Sequence, residues 1–354
     1  MTEMNPTEEG ARAPKPPRSR RDARPPEPTP ARPARGSPSA GRRTVHRERS
    51  SDRVAAPFGA LLLGRPPVAI VTVGRQESSE HVFRRLLGAY LGGAREFVVV
   101  ERPAVSPGTR EVVRTFCRRT RQPEVVSEEP GVVRLRDLAY ESPVPLPERL
   151  TRMGRIVLAF HQEAVESWSQ LPFGDDGYWE RRDDEIDREA WYVQRLAALR
   201  LGLDGSGVTL LGPWTVARSL ERIADHATVL GETGRRLVEL PNGAGPITSL
   251  KQFHRQAMEH LEGVLNARDD ASANDLLDMG DALLVSGRAL ADRLLPAVGD
   301  GTMPPATAAA VTRILESIGR TVAYAQDIAQ VVLDRAIPVT FPDGAEGTNE
   351  PIPL

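Results

Sequence analysis

From residue 148 to residue 334 the apolar residues recur at helical spacing, and the same order of events runs twice. Helical patterns at 148–170, 179–201 and 213–240 are followed by three more at 249–268, 274–295 and 305–334. The third pattern of each set aligns with the other, "ARSLERIADHATVLGE" against "VTRILESIGRTVAYAQD", with Leu-Glu-x-Ile in register. A duplicated unit of three short-linked helices predicts two tandem antiparallel bundles, at 148–240 and 248–335. The buried stripes of the first are expected at Leu150, Met153, Ile156 and Val157; at Ile186, Ala190, Val193 and Ala197; and at Leu220, Ile223, Ala224, Ala227 and Leu230. Pro213 is placed in the first turn of its helix, where a missing N–H costs nothing. Trp168, Trp179, Trp191 and Trp214 surround this unit and are assigned to its core, and His161, His254 and His260 to the surface.

The rest of the chain divides by texture. Residues 1–55 are rich in Pro, Arg, Ser and Ala and offer little to bury, which predicts a disordered basic arm. Residues 66–140 hold two β-branched runs, "VAIVTV" and "EFVVVE", two helical patterns, and "PEVVSEEPGVVRLRDL" as a hairpin. This is a small α/β domain with no phosphate-cradling glycine loop, and it reads as a ligand or interaction module. Residues 336–354 form a tail. The fold class expected is therefore mainly α, two tandem three-helix bundles preceded by a small α/β domain and the arm. A formal charge of −2 argues against general nucleic-acid or membrane binding, and the one cysteine, Cys117, excludes an internal disulfide. The apolar run "APFGALLLGRPPVAIVTV" is broken by Arg65, Pro66 and Pro67, so no transmembrane segment is expected. With no apolar leader at its start, the chain is expected in the cytoplasm.

Chemistry concentrates in acidic residues. Glu221 and Asp225 sit four apart on the third helix, with Glu232 further along, and Asp183 and Asp187 sit four apart on the second beside Asp184. Asp187 precedes Leu201 by 14 residues and Asp225 follows Pro213 by 12. Both then lie roughly 18–21 Å from the turn, so the two pairs meet at one height. Carboxylates are hard donors suited to Mg, Mn, Fe or Ca. On spacing alone the simpler account is a solvated face neutralised by Arg181, Arg188, Arg218 and Arg222, at a repulsive cost of only about 0.2–0.5 kcal/mol per pair. His226 points about 100° away from Asp225 and is read as a polar neighbour, not a ligand. No nucleophile–base arrangement, CxxC or HExxH is present.

"SLERIADHATVLGE" resembles the signature of the PhoU family of phosphate-signalling regulators, and "DDEIDREAWYVQRLAALRL" resembles the family's preceding helix. "LLGAYLGGAREFVVVE" and "PEVVSEEPGVVRLRDLAY" look like the region before the bundles in archaeal-type members. The resemblance spans about residues 68–335. It implies a non-enzymatic negative regulator of phosphate uptake that contacts a phosphate ABC transporter and a phosphate-sensing histidine kinase, and it is compatible with a homodimer. It also implies a multinuclear metal centre, of iron or zinc, with Asp183, Asp187, Glu221 and Asp225 as ligands; Asp184 and Glu232 are additional candidates, and Mg or Mn suits the same donors. In the second repeat Glu316 survives but Arg320 replaces the aspartate, and Asp278 and Asp281 are three apart, so one metal patch is expected. The AbrB-like DNA-binding domain of archaeal-type relatives has no evident counterpart. A DNA-associated regulator using the basic arm is the alternative function, and a metal-dependent hydrolase a minor one.

Overall fold

The computed structural model describes residues 67–138, 145–169, 177–204, 207–294 and 301–336. The basic arm and the tail lie outside the described residues.

The α/β region opens with β1 (Val68–Val73), α1 (Ser79–Leu91) and β2 (Glu96–Glu101), a parallel strand pair with a helical crossover. α2 (Pro107–Arg119) leads to the hairpin β3 (Pro123–Glu129) and β4 (Val132–Asp137). β4 inserts antiparallel between β2 and β3, so the sheet order is β1-β2-β4-β3. Both helices start where the sequence supplies a cap: Ser78 Oγ accepts from the His81 N–H and Ser106 Oγ from the Thr109 N–H, each at 3.2 Å. Strand alternation turns Val71, Val73, Phe97, Val99, Val133 and Leu135 to one face, where they bury against α1 and α2. The other face is open, with Ile70 69% exposed.

Two groups of three helices follow. The first is α3 (Leu146–Glu166), extended by a 3-10 turn at Ser167–Ser169, then α4 (Tyr178–Asp204) and α5 (Gly207–Glu239). The second is α6 (Ala244–Asn266), α7 (Asp270–Leu294) and α8 (Pro305–Ala336). The two long third helices, α5 and α8, make the broadest contact, and one apolar cluster runs through both groups. All the expected stripe residues of α3, α4 and α5 except Ile156 are buried, and Ile156 packs against the same cluster. Pro213 is the exception to the reading of boundaries. It lies inside α5, seven residues into the helix, because α5 begins at Gly207. At the seventh helical position the proline removes one i→i−4 hydrogen bond, a cost the first four positions would not carry.

α4 is covered on two sides. Ile186, Ala190 and Val193 face the helical core and Ala197 is fully buried, while Trp191 joins the core of the α/β region. Trp191 is thus buried, but not in the bundle to which periodicity assigned it. Trp214 is 39% exposed and is no core residue. Trp168 and Trp179 are core, and each packs against a glycine of α5: a Cβ at Gly234 would overlap the Trp168 indole, and one at Gly231 the Trp179 ring. The Trp168 Nε1–H donates to the Leu230 carbonyl at 2.9 Å, which holds its ring in place. Gly234→Ala is therefore expected to lower the unfolding free energy by about 1–3 kcal/mol. Gly88→Ala on α1, with open space around the new methyl, is expected to raise it by about 0.5–1 kcal/mol. Denaturant unfolding of the two variants beside the parent checks both signs.

Candidate metal centre

Where the acidic residues fall is decided by helix lengths. Asp187 lies 17 residues before the end of α4 at Asp204, and Asp225 18 residues after the start of α5 at Gly207. The helices pack along one another, so the two residues meet at one height. The sequence-based ends at 201 and 213 misplace both helices, but by amounts that largely cancel.

Donor oxygens of Asp187, Glu221 and Asp225 all lie within 4.8 Å of one another. Asp187 and Glu221 are buried and Asp225 is half-buried, which is not the exposure of a solvated flank. Glu221 is only 8% exposed, and its Oε2 has no hydrogen-bond partner. Arg218 and Arg222 approach Glu221 only to 3.7 and 3.6 Å, beyond hydrogen-bond reach, although Arg222 Nη1 donates to Asp225 Oδ2 at 3.2 Å. Burial, and then the charge of Asp183 and Glu221, push the Asp187 carboxyl up to about 7. Asp183 is half-buried beside the group; burial, then Asp225 and Asp184, push it up to about 7 as well. Burial first, then Asp225, raises Glu221, and burial raises Asp225 against the pull of Arg222. Four carboxylates thus share one desolvated patch.

These residues fit a cation. An ion with oxygen ligands at about 2.1–2.4 Å places opposite donors about 4.2–4.8 Å apart. A buried carboxylate oxygen without a partner is the atom such an ion would satisfy. A cation there would neutralise the patch and hold α4 to α5.

Of the remaining expected residues, Asp184 is half-buried and takes an arginine instead, and Glu232 is half-buried about 10 Å further along α5, outside the three-donor group. His226 turns from the site and stacks on Tyr324 of α8 at 5.9 Å. In the second group Glu316, Arg320, Asp278 and Asp281 are exposed, Asp281 accepts from Gln326 at 2.9 Å, and no ion pair joins Glu316 to Arg320. Among the described residues the group on α4 and α5 is the only three-donor acidic cluster.

Two sets of residues escape a reading of single helices. Arg119, the last residue of α2, reaches from the α/β region and donates from Nη2 to Asp184 Oδ1 at 2.5 Å and Asp187 Oδ2 at 3.1 Å. Nothing in local spacing signals this contact across 65 residues or more. The histidines, by contrast, carried a signal. His161 lies four residues after Val157 and His254 four after Leu250, both on apolar stripes, and His161, His254 and His260 are buried rather than on the surface.

His161 Nε2 lies 2.8 Å from the Ile223 carbonyl and so donates to it, between Glu221 and Asp225. Its Nδ1 then accepts from His254 Nε2 at 3.3 Å, the two rings stacked across α3 and α6. Burial holds both imidazoles neutral, down to about 4 for His161 and about 3 for His254, where the neighbouring ring adds to the effect. Their contribution to stability is complete above the ordinary value of 6.5 and is lost as pH falls toward 4. The expected slope is about 1.4 kcal/mol per pH unit for each proton the unfolded chain takes up. Ring NMR shifts are expected to stay constant between pH 8 and 5; titration of either ring near 6.5 would contradict the arrangement.

The fold and site together define a helical scaffold in two three-helix groups, with an α/β region mounted on α4 and a buried carboxylate cluster between α4 and α5. The family model described as the PhoU domain matches residues 150–233, from α3 into α5, and that span contains every acidic residue of the cluster. The match is consistent with membership of the PhoU family, whose domains are non-catalytic regulators. No curated protein matches the chain. No described helix is long and apolar enough to cross a membrane.

Proposed function

We propose that this chain is a non-enzymatic regulator of phosphate uptake and phosphate-responsive signalling, acting by protein contacts from a metal-bearing first bundle. The observation that carries the reading is a coincidence of place: the span matching the PhoU domain contains the one buried three-donor cluster among the described residues. Asp187, Glu221 and Asp225 are the assigned ligands, and Asp183 and Asp184 flank them as the groups that a second ion of a multinuclear iron or zinc centre would engage. The phosphate ABC transporter and its histidine kinase follow as partners from the family resemblance, with the cytoplasm as the site of action. The working domain division is 66–140, 148–240 and 248–335.

Metal analysis of the purified chain beside an Asp187→Ala/Asp225→Ala variant tests the site. Metal is expected in the parent and absent from the variant; equal content in the two would overturn the assignment. Altered phosphate uptake on deletion of the chain, restored by the parent and not by the variant, tests the regulatory role.

A further inference from the structure

The carboxylate cluster faces a cation that the chain itself supplies. The Arg119 guanidinium comes from the end of α2, not from either helix of the cluster, and its Nη2 bonds both Asp184 and Asp187. It lies over the rings of Phe83 and Trp191 at 5.5 and 5.3 Å, so α1, α2 and α4 converge on this one side chain. Its side chain is one-third exposed, within reach of solvent. Arg119 and an entering metal ion would share the Asp187 carboxylate, which brings two positive charges together.

We propose that Arg119 is a tethered counter-cation that a metal ion must displace, so that occupancy of the cluster is coupled to the seating of the α/β region on α4. The coupling rests on the metal assignment of Asp187, Glu221 and Asp225. With the cluster empty, the guanidinium offsets part of the negative charge and pins α2 to α4. With a divalent ion bound, Asp187 turns its charge to the ion, and repulsion loosens Arg119 from its place. Linkage makes this reciprocal: whatever holds Arg119 down weakens metal binding, and metal binding frees the end of α2. The chemical signal is a divalent cation, and the element that responds is the α/β region.

The test is calorimetric titration with Mn²⁺ of the full-length parent, Arg119→Gln and Arg121→Gln, together with hydrogen exchange of residues 116–122 with and without Mn²⁺. Arg121 also ties the α/β region to α4, through Glu189 at 2.6 Å, but touches none of the cluster. Arg119→Gln is expected to bind Mn²⁺ at least tenfold more tightly than the parent, and Arg121→Gln to match the parent. Mn²⁺ is expected to speed exchange at 116–122 in the parent. Equal or weaker binding by Arg119→Gln would overturn the proposal while leaving the metal site standing. Equal tightening in both arginine variants would also overturn it, since general loosening of the α/β region would then be the cause. Absence of Mn²⁺ binding in all three proteins would remove the site and the coupling together.

Discussion

Arg195→Met is expected to lower the unfolding free energy by about 3–5 kcal/mol, the range for breaking a buried ion pair from one side. Arg195 is fully buried on α4, in the face turned to the α/β region. Its Nη1 donates to the Tyr90 carbonyl at 2.5 Å, and its Nη2 to the Ala94 carbonyl at 2.8 Å and Asp137 Oδ2 at 2.6 Å. The guanidinium also lies over the Tyr90 ring, 4.4 Å from its centre. One side chain therefore ties α4 to the end of α1, the loop before β2 and the end of β4. Methionine fills much of the same volume, so the loss is of charge pairing and hydrogen bonds, not of packing. Asp137 loses the buried guanidinium at 2.6 Å, and removing one side of that buried pair dominates the cost. Arg195→Met/Asp137→Leu is accordingly expected to recover part of the loss, because it removes both sides of the buried pair. Denaturant midpoints for the parent, the two single variants and the double variant measure this as a coupling energy. A single-variant cost below about 1 kcal/mol would mean that Arg195 is not what holds the α/β region to α4.

The second large effect changes sign with conditions. Glu221→Gln is expected to stabilise the metal-free protein by about 1 kcal/mol and to abolish the stabilisation that metal confers. Without metal, Glu221 is a buried carboxyl beside other carboxylates, with one oxygen that accepts no hydrogen bond. The amide of glutamine keeps its shape, removes a charge, and supplies an N–H that the neighbouring carboxylates accept. With metal, the parent gains about 2.7 kcal/mol at a hundredfold excess over Kd, and the variant, lacking a ligand, does not. Thermal melts with and without metal should therefore cross, the variant melting higher in chelator and lower in metal. Such a crossing is the mark of a cluster kept for binding at the expense of stability. A variant less stable than the parent under both conditions would instead make Glu221 a structural residue.

How far these features can be read from the chain depends on whether one element carries them. Strands β1 and β2 coincide with "VAIVTV" and "EFVVVE", and the hairpin turns at Pro130-Gly131, because alternation and turn chemistry are local. The shared height of Asp187 and Asp225 was legible too, since it needs only helix rise and two adjacent helices. α4 defeats a one-face reading. Residues 189–195 are buried all round the helix, because the core of the helical groups covers one side and the α/β region the other. Glu189 and Arg195 consequently occupy positions that a single stripe gives to solvent. Their partners are distant in sequence: Arg121 and Arg149 for Glu189, and Asp137 for Arg195. Arg119 at the carboxylates is the same kind of contact. The histidines differ, since their place on two apolar stripes was visible, and burial as a neutral pair is the arrangement such a place demands.

The claim on which the rest depends is that Asp187, Glu221 and Asp225 together hold a cation. Crystals of the full-length protein equilibrated with Mn²⁺ and measured for anomalous scattering test it most directly. The expected result is an anomalous peak within about 2.5 Å of a carboxylate oxygen from each of the three residues. A further peak against Asp183 or Asp184 would mark a multinuclear centre. Manganese bound elsewhere with this cluster empty, or Arg119 still bridging Asp184 and Asp187 with no ion among the three, would contradict it.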